Sequence, residues 1–121
     1  MVPAPHAPSD LVPLTPVVLH VLLALSEGER HGYAIAQEIE DLTDGQIRMG
    51  PGTLYGSIQR MLASGLIEES RKTRSNDDDA RRRYYRQTGV GRRTLELELR
   101  RLAQVVNVAR TKRLLRDPEL A

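Results

Sequence analysis

Side chains that can donate hydrogen bonds to phosphates and base edges are concentrated in two stretches of this sequence. Between Gly52 and Ser64, hydroxyl, amide and guanidinium groups supply the candidate contacts Thr53, Tyr55, Ser57, Gln59 and Arg60. From Arg71 to Arg93, nine basic residues stand against three aspartates and supply the candidate contacts Arg71, Lys72, Arg74 and Arg82. Proteins hold DNA backbones and read base edges through groups of these types.

The charge of the chain is divided between an acidic front and a basic remainder. Residues 1–45 carry seven acids and one base, residues 46–116 carry seventeen bases and seven acids, and the whole chain has a formal charge of +2. Sixteen of the eighteen bases are arginine, which binds phosphate through a fork of N–H donors as well as by charge. The asymmetry favours a polyanionic partner for the second half; a solvated surface with compensating charges is the alternative.

Other chemistries find little support in the sequence. Cysteine is absent, which excludes disulfides and thiol catalysis, and the three histidines are not spaced as metal ligands. The segment Gly50-Pro51-Gly52 lacks the lysine of a nucleotide-binding loop, and no glutamate completes a calcium loop after residues 77–79. We therefore predict no enzyme activity, no cofactor and no metal. No apolar run approaches the length of a membrane span, and residues 1–10 lack the pattern of a secretory signal.

Two helices are predicted between residues 16 and 42. Pro16 suits the first turn of a helix, and the apolar run Val17–Leu25 follows it. A turn over residues 26–30 precedes a second helix, His31–Leu42. The inner stripe of the second helix is predicted from helical spacing to be Tyr33, Ala36, Ile39 and Leu42. Residues 1–12, which are rich in proline, are predicted to form a flexible arm.

A third helix, a hairpin and a long final helix are predicted in the remainder. The third helix begins near Pro51 and is closed by Gly65, and its apolar stripe is Leu54, Ile58, Met61 and Leu62. Leu66–Lys72 and Arg81–Gln87 are predicted to be the two strands of a β-hairpin. Thr88 is placed to cap a final helix over residues 88–116, which leaves residues 117–121 as a tail.

The final helix carries an apolar seam. Its members recur at alternating steps of four and three residues: Leu95, Leu99, Leu102, Val106 and Ala109. This spacing is the heptad pattern of helices that pair with one another. A helix of about 26 residues is roughly 40 Å long, which exceeds the small domain before it. A second copy of the chain is therefore the favoured cover for the seam; a core stripe within one chain is the alternative.

The order of helix, helix, helix, two strands and helix predicts a mainly α fold with a small β-hairpin. It corresponds to a winged helix-turn-helix over residues 13–87, followed by a dimerisation helix. In such a domain the third helix enters the major groove and the hairpin runs along the backbone or minor groove. The predicted partners are double-stranded DNA and a second copy of the chain. The alternative is a winged-helix adaptor for proteins, for which a neutral or acidic wing is expected.

Five short motifs, in order, resemble the PadR family of bacterial transcriptional regulators. They are His31-Gly32-Tyr33-Ala34-Ile35, Gly52-Thr53-Leu54-Tyr55, Gly65-Leu66-Ile67, Arg82-Arg83-Tyr84-Tyr85 and Thr88-x-x-Gly91. The single final helix is similar to that of the smaller PadR subgroup. The resemblance implies a cytoplasmic homodimer that represses transcription from a palindromic operator and is released by a small molecule or stress. It also implies a DNA-facing role for Tyr55.

Two positions depart from that family pattern. Gly56 stands where proline commonly follows the Leu-Tyr pair, and Gln87 stands where leucine commonly precedes the capping threonine. Glycine inside a helix costs about 1 kcal/mol relative to alanine, and here it either permits close approach to DNA or has no role. Tryptophan is absent, so the stacking of ligands on tryptophan found in some relatives does not carry over.

Each candidate DNA contact also has a structural alternative. Tyr55 either contacts phosphate or packs within the fold. Thr53 and Ser57 either reach the groove or cap the start of the helix. Gln59 and Arg60 either read DNA or lie on a solvated face. The sequence favours DNA for Tyr55, Gln59 and Arg60 and is evenly divided for the two hydroxyls.

Overall fold

The computed structural model describes residues 7–70 and 83–116. A 3-10 turn at Pro8–Asp10 precedes helix α1, Pro16–Ala24, and a short strand β1, Arg30–His31. The chain continues through helices α2, Gly32–Leu42, and α3, Pro51–Ala63, to strands β2, Ile67–Ser70, and β3, Tyr84–Gln87, and ends in helix α4, Gly89–Thr111. The predicted mainly α fold with a small sheet and a long final helix is confirmed. The final helix is 23 residues long, about 35 Å, and shorter than predicted.

The sheet has three antiparallel strands in the order β1-β3-β2, one more than predicted. In the predicted hairpin, Ile67 pairs with Gln87 and Ser70 pairs with Tyr84. The additional strand is β1, where Arg30 pairs with Tyr85. The prediction of a turn over residues 26–30 missed this strand, because two residues are too few to show an alternating apolar pattern. The predicted hairpin tip lies outside the described residues.

Helix α2 turns a different face to the core than its sequence suggested. Its buried residues are Gly32, Ile35 and Ile39, whereas Tyr33 is 73% exposed and Leu42 is 55% exposed. The prediction that Tyr33 and Leu42 lie on the inner stripe is therefore wrong. Residues 32, 35 and 39 follow the same helical spacing, and Tyr33 can remain in water because its ring carries a hydroxyl group.

The core is aliphatic, as the shortage of aromatic residues predicts. Helices α1, α2 and α3 contribute most of it, and Tyr85 of β3 is its one buried aromatic among the described residues. Burial raises the pKa of the Tyr85 hydroxyl, with Glu69 as a further cause. The buried aliphatic members are Val21, Leu22, Ala24, Leu25, Ile35, Ile39, Leu54, Ile58, Met61, Leu66, Ile67 and Leu95.

Residues 7–14 run against α4 instead of extending away as an arm. The 3-10 turn at Pro8–Asp10 contacts α4, and Leu11 and Leu14 pack against the core. The backbone N–H of Leu14 donates to Oε2 of Glu98 at 2.8 Å. Apolar and backbone contacts thus hold residues 7–12 in place, although the proline content predicts that they belong to a flexible arm. Residues 1–6 of that predicted arm lie outside the described residues.

A tight junction joins α4 to the sheet. The Thr88 side chain accepts a hydrogen bond from the N–H of Gly91 at 3.0 Å, which is the predicted helix cap. Its hydroxyl group donates to the carbonyl of Gly65 at 2.5 Å. A β-carbon at Gly91 would overlap the carbonyl oxygen of Leu66, so only glycine allows α4 to approach the start of β2 this closely. Gly65 has φ +80° and closes α3 as predicted.

Candidate nucleic-acid interface

Helix α3 presents a polar face to solvent next to its apolar stripe. Gly50 precedes its first turn, where Pro51 fixes the backbone without losing a needed hydrogen bond. Thr53, Tyr55, Gln59 and Arg60 are exposed, as expected for residues that contact DNA. These four side chains offer hydroxyl, amide and guanidinium groups to a partner that approaches the helix from solvent.

Ser57 does not lie on this face. Its side chain belongs to the buried stripe of α3 together with Leu54, Ile58 and Met61, and the residue is only 2% exposed. The prediction that Ser57 contacts DNA is therefore wrong. Its hydroxyl oxygen accepts a hydrogen bond from Nη2 of Arg60 at 3.3 Å, so the polar group is buried with a partner. Ser57 therefore lies beneath the exposed side chain of Arg60 and accepts its hydrogen bond.

The aromatic ring of Tyr55 crosses from α3 to the first turn of α2. A β-carbon built at Gly32 would stand 3.4 Å from the Tyr55 hydroxyl, so the small residue makes room for the ring. Tyr55 is 46% exposed. One part of the ring therefore packs on α2, while the remainder faces solvent and leaves a phosphate contact open to the hydroxyl.

Three aromatic rings lie around the start of α2. His31 caps the helix, since its Nδ1 accepts from the N–H of Ala34 at 3.2 Å. The ring of His31 stacks near Tyr33 with centroids 6.4 Å apart and meets the edge of Tyr84 at 5.4 Å. These contacts tie the base of the wing to α2 and place the exposed Tyr33 on the helix-turn-helix side of the molecule.

Arg48 is a basic residue beside α3 that sequence reasoning missed. It lies just before the helix, its side chain is exposed, and Nε is 3.8 Å from Oε1 of Glu40. An ion pair of that length between exposed groups is weak, so the guanidinium remains available to a stronger anion. The signal in the sequence was a lone base in the turn between α2 and α3, which the basic run after residue 70 overshadowed.

The described part of the wing is less basic than its sequence suggested. Arg86 of β3 pairs with Glu68 of β2 at 2.7 Å, and Arg83 lies 3.9 Å from Glu69. These two glutamates lie just before the basic run that begins at Arg71. The stem of the wing is therefore close to neutral. Four predicted phosphate contacts lie outside the described residues: Arg71, Lys72, Arg74 and Arg82.

The apolar seam of helix α4 lies partly in the core and partly in solvent. Leu95 is 4% exposed and belongs to the core of its own chain, so its predicted contact with a second copy is wrong. Leu99 is 40% exposed, and Leu102, Val106 and Ala109 are partly exposed. Further apolar residues of the helix are exposed beside them: Leu97, Val105 and Val108. Helix α4 therefore carries an exposed apolar surface where it extends from the head, the unit formed by α1, α2, α3 and the sheet.

Glu98 is a buried carboxylate at the point where α4 leaves the head. Its oxygens accept from Arg101 at 2.6 and 3.2 Å and from the N–H of Leu14 at 2.8 Å. The hydrogen bonds from Arg101, reinforced by the one from Leu14, lower the pKa of Glu98 despite the opposing effect of burial. The carboxylate therefore stays charged and fixes the segment before α1 against α4.

Within residues 7–70 and 83–116, no group of histidine and acidic side chains is arranged to hold a metal ion. No helix in those same ranges is long and apolar enough to cross a membrane.

Comparison with known proteins gives a family-level match. The model of the Transcriptional regulator PadR-like family matches residues 19–97. The transcriptional regulator Rv3488 of Mycobacterium tuberculosis is 35% identical over 89 residues, which cover 74% of this chain and 78% of that protein. An uncharacterised protein in transposon Tn4556 of Streptomyces fradiae is 38% identical over 85 residues, and the chain spans 22% of its length.

Solved structures agree on the fold. A PadR family transcription regulator from Clostridium difficile superposes with a TM-score of 0.67 at 22% identity. The match covers 80% of this chain and 97% of that one.

Proposed function

Because the chain belongs to the PadR-like family of transcriptional regulators, we propose that it is a DNA-binding homodimer that represses transcription from a palindromic operator. The unit over residues 13–87 would bind one half-site, and residues 88–116 would join two copies. A regulator of this kind acts in the cytoplasm, needs no catalytic activity, and is released from its operator by a small-molecule effector.

The exposed face of α3 carries the proposal. Thr53, Tyr55, Gln59 and Arg60 are exposed on this face. Their exposure supports base contacts from Gln59 and Arg60 and phosphate contacts from Thr53 and Tyr55. Arg48 adds a positive charge before the helix, in support of a phosphate contact there. Because the stem of the wing is nearly neutral, we expect that, among the described residues, those of α3 and the residues beside it make the specific contacts with DNA.

Dimerisation is supported by the uncovered apolar surface of α4. The exposed fractions of Leu99, Val105 and Val108 are unusual for one helix of a monomer, because each is a large aliphatic side chain left in water. Val17, Leu19 and Leu23 of α1 pack against the core but are likewise only partly buried, although the helix is apolar on nearly all sides. A second copy would cover both helices.

The test of DNA binding is the salt dependence of affinity for an operator selected from a random library. A dimer that neutralises roughly five to eight phosphates should give a slope of log K against log salt of about −4 to −7. Gln59→Ala should weaken operator binding by about tenfold while random DNA changes little. Gln104→Ala, on the exposed side of α4, is the matched control and should leave both affinities unchanged.

One observation favours the second candidate, a protein-interaction module. The ion pairs of Arg86 with Glu68 and of Arg83 with Glu69 neutralise the described stem of the wing, as an adaptor would require. An adaptor predicts a salt slope near zero and no operator in the selection. The same experiment therefore separates the two functions.

A further inference from the structure

A cleft of about 390 Å³ lies between α2 and the start of α3. Its volume is in the range of small-molecule sites, about 300–1,000 Å³. The proposed DNA contacts do not require it. Its walls are formed by Tyr33, Ala36, Gln37, Glu40, Met49, Pro51, Leu54 and Tyr55.

The chemistry of the walls favours a cation with an apolar body. Ala36, Met49 and Leu54 provide apolar surface, and Tyr33 and Tyr55 provide exposed aromatic rings, whose faces attract cations. Glu40 is the lining residue that carries a charge at neutral pH. A positive group placed in the cleft would therefore meet a carboxylate and two aromatic rings.

The carboxylate of Glu40 is able to take a new partner. Its Oε1 is 3.8 Å from Nε of Arg48, and both side chains are well exposed, at 43% and 75%. A bound cation would compete with a weak ion pair and not with a buried one.

The cleft shares its rim with the proposed DNA surface. Tyr55 and Pro51 belong both to the cleft and to the exposed start of α3. A molecule held between Tyr33 and Tyr55 would stand where DNA must approach α3. We propose that the cleft binds a small organic cation, an aromatic or alkylated ammonium compound, and that this binding displaces DNA. The displacement rests on the proposed function; the binding itself does not.

Direct binding is tested on the full chain without DNA, by ¹⁵N-edited NMR titration with benzyltriethylammonium chloride. The amides of Tyr33, Ala36 and Tyr55 should shift in a saturable manner. Glu40→Gln should weaken binding about fivefold, as expected for loss of one partly exposed charge pair. Glu27→Gln, which removes the same charge in the exposed turn before α2, should have no effect.

A second variant tests the cleft without altering its charge. Ala36→Leu adds apolar bulk to the wall and should abolish binding, while the dispersed NMR spectrum shows that the domain remains folded. Benzyl alcohol, a neutral comparison compound, should bind more weakly than the cation. Absence of saturable shifts, or shifts that both variants leave unchanged, would overturn the proposed site.

Competition is measured separately, by fluorescence anisotropy of a labelled operator at rising benzyltriethylammonium concentration. The cation should release DNA from the wild type, and the concentration required should rise about fivefold in Glu40→Gln. Binding of the cation without release of DNA would overturn the displacement. If the chain binds the cation but no DNA, the proposed function fails while the cleft remains a binding site.

Discussion

Gly56 stands at the centre of the exposed face of α3, where its neighbours along the helix are Gly52, Thr53, Gln59 and Arg60. All four neighbours are exposed. A β-carbon at Gly56 would stand 3.5 Å from Nη1 of Arg60, an ordinary contact with a flexible side chain. The fold therefore does not require glycine at this position. Close approach to DNA and the absence of any role are the two alternatives, and one substitution separates them.

Gly56→Ala is expected to stabilise the protein and to weaken DNA binding. Removing the entropy of a helical glycine should raise the free energy of unfolding by about 0.5–1 kcal/mol in urea titrations. The added methyl group should hold α3 away from the groove and lower operator affinity roughly tenfold by anisotropy. If affinity is retained in the more stable variant, the centre of this face is not in close contact with DNA.

At the scale of single residues, the sequence predicted residue types better than their directions. Thr53, Tyr55, Gln59 and Arg60 were placed correctly on the exposed face. Ser57 was misplaced because a hydroxyl suggests solvent, although its spacing from Leu54 and Met61 puts it in the buried stripe. Its partner, Arg60, satisfies the hydroxyl, and such side-chain pairing cannot be read from helical spacing alone.

At the scale of elements, the contact of α4 with the start of β2 is the junction most sensitive to substitution. Gly91→Ala should lower the free energy of unfolding by about 1–3 kcal/mol or more, because a methyl group cannot share space with the backbone carbonyl of Leu66. Chemical denaturation measures this loss.

Gly89→Ala is the matched control for that junction. Gly89 lies two residues earlier in the same helix, and a β-carbon there would have no neighbour within 4 Å. This variant should be neutral or more stable by up to about 1 kcal/mol. Equal losses in the two variants would contradict the role of the close approach to Leu66.

Glu98 makes the attachment of residues 7–14 dependent on pH. Because its pKa is lowered from the ordinary value of 4.5 in the folded state, its stabilising effect is complete above about pH 4.5. That effect is lost as the pH falls through the lower folded-state pKa. Glu98→Gln should cost about 1–3 kcal/mol at pH 7 and less at pH 3. A stability difference that is constant between pH 7 and pH 3 would contradict this role.

The elements differ in how far the sequence could foresee them. The helix start at Pro16, the cap at Thr88 and the glycine at Gly65 are local signals, and each structural feature lies where the sequence predicts it. Strand β1 depends on pairing with Tyr84 and Tyr85 more than fifty residues later, so no local signal existed. The docking of Pro8–Asp10 on α4 is likewise a long-range contact.

At the scale of the whole molecule, the uncovered surface of α4 makes a prediction about assembly. Leu99→Glu should yield a monomer with a folded head, because each copy would bring a charge into the proposed dimer seam. Loss of the dimer should also abolish operator binding, since the two half-sites could no longer be bound together. Sedimentation velocity, circular dichroism and anisotropy measure these three properties.

Gln104→Glu is the control for assembly, since it adds the same charge at an exposed position of α4 outside the seam. This variant should remain dimeric and bind the operator. A Leu99→Glu variant that is still dimeric would show that the seam is not the contact between copies.

The close junction of α4 with the start of β2, at Gly91, also affects which DNA sites the proposed dimer could bind. Only Thr88 separates β3 from α4. Its hydroxyl group donates to the carbonyl of Gly65, which closes α3, so no flexible linker lies between the head and α4. In the proposed dimer, two such domains, each joined directly to its α4, would have a fixed separation and a fixed rotation about the DNA axis. We expect that inserting about 5 base pairs between half-sites, half a helical turn, abolishes binding by placing them on opposite sides of the duplex. Inserting a full turn restores the phase but not the distance, so affinity should remain low.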